Sequence, residues 1–163
     1  MQAFSNMRRN STDQNYLTWV WYGAWLVAGQ IMSSLYPFIP SFAGVVFCYL
    51  IITFERREEH TFSILGSILY LCLFDISKGF YLFSFVILFM LTYRFAIRKI
   101  QTMITCNHCI LTAYVMIAYI GHYLINAILA FIANEELPYF SNFYFYYIAI
   151  DAIIASMIFK VSR

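Results

Sequence analysis

Long apolar runs broken by short polar segments are the dominant pattern of this chain. A first run covers about residues 16–36, and Pro37 and Pro40 then mark a tight turn. A second run reaches Phe54 and stops at Glu55-Arg-Arg-Glu-Glu-His60, the most polar segment of the sequence. Further runs follow over about 61–76, 79–97, 109–133 and 139–159. Each comes near the roughly 20 residues that a helix needs to cross about 30 Å of hydrocarbon. None shows the strict alternation of a membrane barrel, and uninterrupted helices satisfy their own backbone in lipid. The pattern therefore predicts an all-α fold: a polytopic transmembrane helix bundle of six spans, at about 16–36, 37–54, 61–76, 79–97, 109–133 and 139–159. It forms a single domain over residues 1–163.

The cations orient this bundle. With six spans, Arg8, Arg9, Arg56, Arg57, Arg94, Arg98, Lys99, Lys160 and Arg163 fall on one side, and only Lys78 falls on the other, where Glu135 and Glu136 also lie. Positive loops stay cytoplasmic, so the split predicts a multi-pass protein of the cytoplasmic (inner) membrane with both termini inside. Trp19, Trp21 and Trp25, and the run from Tyr139 to Tyr147, fit anchoring at the membrane interfaces. Composition agrees: 63% of the 163 residues are apolar or aromatic and 11% are charged, against roughly 25% charged in soluble domains. The polar Met1–Asn15 segment and the lack of a small-residue cleavage site argue against a cleavable signal peptide. A net charge of +2 points away from nucleic acid.

Candidate chemistry is sparse. Cys106-Asn-His-Cys109 brings two thiols and an imidazole within four residues, which suits zinc or a redox-active pair. A closed zinc site needs four ligands, however, His60 adds at most one, and no thioredoxin-like strand–helix pattern surrounds it. The segment reads as a cytoplasmic loop entering the fifth span, and no metal or cofactor is expected. Polar residues inside the spans are more informative, because a charge at bilayer depth costs at least about 2.5–3.5 kcal/mol and must face protein or water. Asp151 lies well inside the sixth span. His122 and Asn126 lie four apart on one face of the fifth, in a stripe with Ala118 and Ala130. Depth counting sets Asp151 and His122 within about one helical turn of each other, close enough to pair. That pair reads as a polar clamp between helices in preference to a proton or ligand site. Gly23, Gln30 and Ser33 or Ser34 share a face of the first span suited to helix packing. Walker, GxSxG and HExxH motifs are absent, so no catalytic residue is expected.

The segment Asp75-Ile-Ser-Lys-Gly79-Phe-Tyr-Leu82 resembles the MreD rod-shape-determining family, in which an Asp is followed four residues later by Gly and then by a Leu-Gly pair. Length, the proline-containing first outer loop, the polar second loop and the basic segment after the fourth span match in outline along nearly the whole chain. Leu71 and Phe83 stand where the family carries glycine. The resemblance implies a non-catalytic bacterial inner-membrane subunit of the peptidoglycan elongation complex that sets cell shape. Its implied partners are an MreC-like protein, a RodA-like glycosyltransferase and a class B penicillin-binding protein. In that frame Gly79 permits the sharp outer turn and Asp75 caps the following helix. The alternative is a small-molecule transport subunit similar to vitamin-uptake S-components, with Asp151, His122, Asn126, Gln30 and Asn142 as its polar groups, or a small proton-linked carrier.

Overall fold

The computed structural model describes residues 20–21, 23–24, 27–36, 38–55, 61–138 and 141–159. Arg8, Arg9, Trp19, Trp25, Pro37, Arg56, Arg57, His60, Tyr139, Lys160 and Arg163 lie outside the described residues. The fold is all-α. Helix α1 covers residues 27–35, α2 Ala43–Glu55 and α3 Thr61–Ser77. Helix α4 starts as Ser84–Leu91, passes through a wide turn of π type over Thr92–Ala96 and continues over Ile97–Met103. Helix α5 is Asn107–Ala133, with a second π turn over Ile117–Gly121, and α6 is Phe143–Ile158.

Two helix starts differ from the expected spans. Helix α2 begins at Ala43, not at residue 37, because Phe42 sits at φ 55 and cannot continue a right-handed helix back toward Pro40. Helix α4 begins at Ser84, not at residue 79, because Gly79 at φ 71 and Phe83 at φ 67 make two left-handed kinks. It then runs past residue 97 and carries the exposed Arg94, Arg98 and Lys99 on helix. The expected uninterrupted helices also give way to the two π turns.

Helices α2 and α5 form the centre. Helix α2 packs on α3, α5 and α6, while α5 also packs on α4. Most of α2 is buried from Ala43 to Thr53, as befits a helix apolar on all sides. Phe47 of α2 meets Phe85 and Phe89 of α4 at ring separations of 6.1 and 6.4 Å. At one end Gln30 Nε2 donates to Ser77 Oγ at 2.6 Å, and Lys78 Nζ donates to the Ser33 carbonyl at 2.9 Å, tying α1 to the end of α3. At the opposite end Gln101 Nε2 donates to Glu55 Oε1 at 2.6 Å.

Around an apolar core, several helices bury polar side chains and expose large apolar ones. On α5, His122 and Asn126 are buried with Ala118 and Ala130, while Leu124, Ile128 and Phe131 are exposed, the last by 82%. Helix α3 buries Ser67 and Asp75 and exposes Leu65, Leu69 and Ile76. Helix α6 buries Asp151 and exposes Ile153 and Met157. By length and apolarity, α5 is the one helix among the described residues sufficient to cross a membrane; its 27 residues span about 40 Å. Helices α2, α3 and α6 are apolar but shorter.

Candidate functional site: two buried carboxylates at helix starts

Helices that begin inside an apolar bundle leave backbone N–H groups with no water to satisfy them. Helices α2 and α4 both do so, and each is met by a carboxylate from another helix. Asp151 of α6 is fully buried, and its Oδ2 accepts the Gly44 N–H at 2.9 Å in the first turn of α2. The same oxygen accepts the Tyr119 hydroxyl of α5 at 2.8 Å. Just upstream, the Tyr70 hydroxyl of α3 donates to the Ser41 carbonyl, so the chain entering α2 is held from two sides. A negative group at a helix N-terminus also faces the positive end of the helix dipole.

Gly44 is what lets the carboxylate reach the backbone. A Cβ there would lie 2.8 Å from Asp151 Oδ2 and 3.0 Å from both Tyr119 and Val115. The glycine is required by close approach, since its φ is not left-handed.

Asp75, near the end of α3, does the corresponding work for α4. Its Oδ1 accepts Ser84 Oγ at 3.0 Å and His122 Nε2 at 2.8 Å, and its Oδ2 faces the Phe85 N–H at 3.5 Å. His122 Nε2 also lies 2.7 Å from Ser84 Oγ and 3.1 Å from Asn126 Nδ2; with its proton directed at Asp75, the Ser84 hydroxyl donates to the same carboxylate. Asn126 Nδ2 then donates to the His122 carbonyl at 2.9 Å, and Asn126 Oδ1 accepts the Tyr81 N–H at 3.0 Å. The imidazole is fixed by aromatic rings. Phe85 stacks on it at 4.0 Å and 18°, and Phe80 meets it edge-on at 4.8 Å.

Asp151 and His122 therefore do not pair. They belong to two adjoining clusters that share α5, through Tyr119 and His122. Depth counting set the level of each group along its helix, but not the direction in which it faces across the bundle. The π turn at Ile117–Gly121 lies between the two clusters and turns Ala118, Tyr119 and His122 all inward while Ile120 stays exposed. Asn126 joins His122 as its four-residue spacing implies. Gln30 is buried but lies apart, on α1 against Ser77. Asn142 is exposed and joins neither cluster. Gly79 makes the turn after α3, and Leu82 is exposed.

The sequence reading passed over Tyr119, Gly44 and Ser84. Tyr119 is one of 14 tyrosines and Gly44 sits in an unbroken apolar run, so neither carries a distinguishing signal. Ser84, nine residues beyond Asp75, was detectable only as a polar group beginning an apolar run.

The arrangement can hold helix starts and cross-link helices. Among the described residues no group of three or more His, Cys, Asp or Glu side chains converges to hold a metal ion. Comparison with protein-family models, with curated proteins and with solved structures gives no match to this chain.

One consequence is specific to Asp151. Its Oδ1 is buried without a partner among the described residues. An amide nitrogen in that position displaces no existing bond, while the remaining oxygen keeps both Gly44 and Tyr119. Asp151→Asn should leave the detergent-solubilised protein within about 1 kcal/mol of the parent, because the amide oxygen still accepts from the Gly44 N–H and the Tyr119 hydroxyl. Asp151→Leu should destabilise it by about 2–3 kcal/mol through the unpaired Gly44 N–H and Tyr119 hydroxyl. Thermal unfolding of the two variants side by side checks the difference. Equal losses would show that the charge, not the hydrogen bonding, matters.

Proposed function

We propose that the chain is a six-span protein of the cytoplasmic membrane, both ends inside, that acts without turnover by binding other membrane proteins. We place it in the rod-shape-determining class that its Asp75–Leu82 segment resembles. The membrane reading is supported by the outward faces of α3, α5 and α6, which expose large apolar residues such as Leu69, Phe131 and Met157 while Asp75, His122, Asn126 and Asp151 are buried, as lipid favours. The buried carboxylates support a scaffold over a carrier, because the hydrogen bonds that they make end on helix starts, on Tyr119 and on His122.

The observation that carries the family reading is the backbone at residue 83. The family has glycine after the Leu of its motif; this chain has Phe83, and Phe83 adopts φ 67, a conformation that glycine takes without strain. Gly79 at φ 71 and the inward carboxylate of Asp75 complete the same turn.

Small residues supply the contact surface for partners in lipid. A Cβ at Gly23 or Gly29 would meet nothing within 4 Å among the described residues, whereas Ala118 is fully buried. Gly23→Leu should therefore weaken copurification with an MreC-like protein and leave the bundle's thermal stability unchanged, while Ala118→Leu should lower the stability itself. Depletion in a rod-shaped host should round the cells. Unchanged shape on depletion, with tight binding of a vitamin to the purified protein and no protein partner, would replace this reading with that of a transport subunit.

A further inference from the structure

The connection between α4 and α5 carries chemistry that the interior does not use. The chain is extended at Ile104 and Cys106, and α5 starts at Asn107. Cys106 is thus the residue flanking the helix start, and Cys109 stands in the first turn. Both thiols are free and exposed, unlike Cys48 in the core. The neighbouring Cys109 thiol and the backbone N–H groups of the first turn favour the Cys106 thiolate and hold that thiol below its ordinary range, as expected for a sulfur at a helix N-terminus. Exposed Arg94, Arg98 and Lys99 on the preceding helix make this end of the bundle electropositive.

We propose that Cys106 and Cys109 form a reversible dithiol–disulfide pair that exchanges with small anionic disulfides, of which glutathione disulfide is the type. Two residues between the cysteines at a helix start is a spacing that closes into a disulfide. The Cys106 thiolate attacks one sulfur of the small disulfide, forms a mixed disulfide and releases one small thiolate. Cys109 gives up its proton and attacks the Cys106 sulfur of that mixed disulfide. A Cys106–Cys109 bond forms and the second small thiolate leaves. Two protein thiols are oxidised, and one glutathione disulfide is reduced to two glutathiones. Cys106 is the attacking sulfur because its thiolate is the more available, and Cys109 is the resolving one. The cationic end of the bundle draws the anionic disulfide toward this site.

The test uses the intact chain in detergent micelles, equilibrated with glutathione mixtures of increasing oxidation, quenched in acid, labelled with a maleimide and mapped by peptide mass. The segment holding both cysteines should lose both labels in one step and become lighter by two hydrogens. Cys109→Ser should instead accumulate a single glutathione on Cys106, since nothing remains to resolve it. In the reduced protein at neutral pH, brief iodoacetamide treatment should modify Cys106 before Cys109. Both cysteines staying labelled in the most oxidising mixture would overturn the proposal. So would a separate glutathione on each cysteine, a disulfide between two chains, or equal alkylation of the two thiols. Cys109 is exposed, so the variant removes no core packing.

Discussion

Asp75→Leu should be among the most damaging single substitutions in the interior, lowering stability by up to about 3 kcal/mol, the cost of leaving buried hydrogen-bonding partners unsatisfied. Asp75 serves three groups at once: the Ser84 hydroxyl, the His122 ring and the Phe85 N–H at the start of α4. Leucine leaves the Phe85 N–H without its carboxylate, while Ser84 Oγ and His122 Nε2 keep only their mutual contact at 2.7 Å. His122→Leu should cost less, because Ser84 can still donate to Asp75 Oδ1. The double variant, Asp75→Leu with His122→Leu, should be more stable than the sum of the single losses implies, since apolar replacement of both partners removes the unpaired group. Thermal unfolding in detergent of the parent, the two single variants and the double variant gives the coupling directly. Additive losses would show that Asp75 and His122 act independently, against their 2.8 Å contact.

The second large effect is expected at Gly44. Alanine there places a carbon 2.8 Å from Asp151 Oδ2 and 3.0 Å from Tyr119 and Val115, so α2 must move away from α5 and α6. The overpacking costs about 1–3 kcal/mol, and loss of the Gly44–Asp151 hydrogen bond adds about 1.5–3 kcal/mol for a bond to a charged group. Gly66→Ala is the matched control. It sits inside α3, its Cβ meets nothing within 4 Å, and it should be neutral or slightly stabilising. Comparison of the two variants by heating and size-exclusion chromatography separates a requirement for close approach from a general intolerance of glycine replacement.

The all-helical class was legible from the sequence because apolar runs of helix length between polar breaks leave few alternatives. The buried status of Asp151, His122, Asn126 and Gln30 was legible for the same reason: polar groups in apolar runs must turn toward protein. Their partners were not. Hydrophobic periodicity gives the face of one helix but not the neighbour that this face meets, so His122 was set against Asp151 when it meets Asp75. The positions where α2 and α4 begin were hidden as well. The runs through 37–54 and 79–97 stay apolar across the kinks at Phe42 and Phe83, and a left-handed phenylalanine leaves no mark in composition. Gly44 and Tyr119 matter through a three-way approach of α2, α5 and α6 that only the assembled bundle defines.

Reporter fusions along the chain test the central claim, a six-span bundle with buried polar clusters and a lipid-facing exterior. The expected result is a cytoplasmic signal after Arg57, Lys99 and Arg163, and an external signal after Pro40 and Glu136. That alternation requires α2, α3 and α6 to cross despite their length, and it follows from the cation distribution along the sequence. An external signal at Arg163, or the same signal at Pro40 and Arg57, would mean that one of the short helices does not span, and would contradict the account.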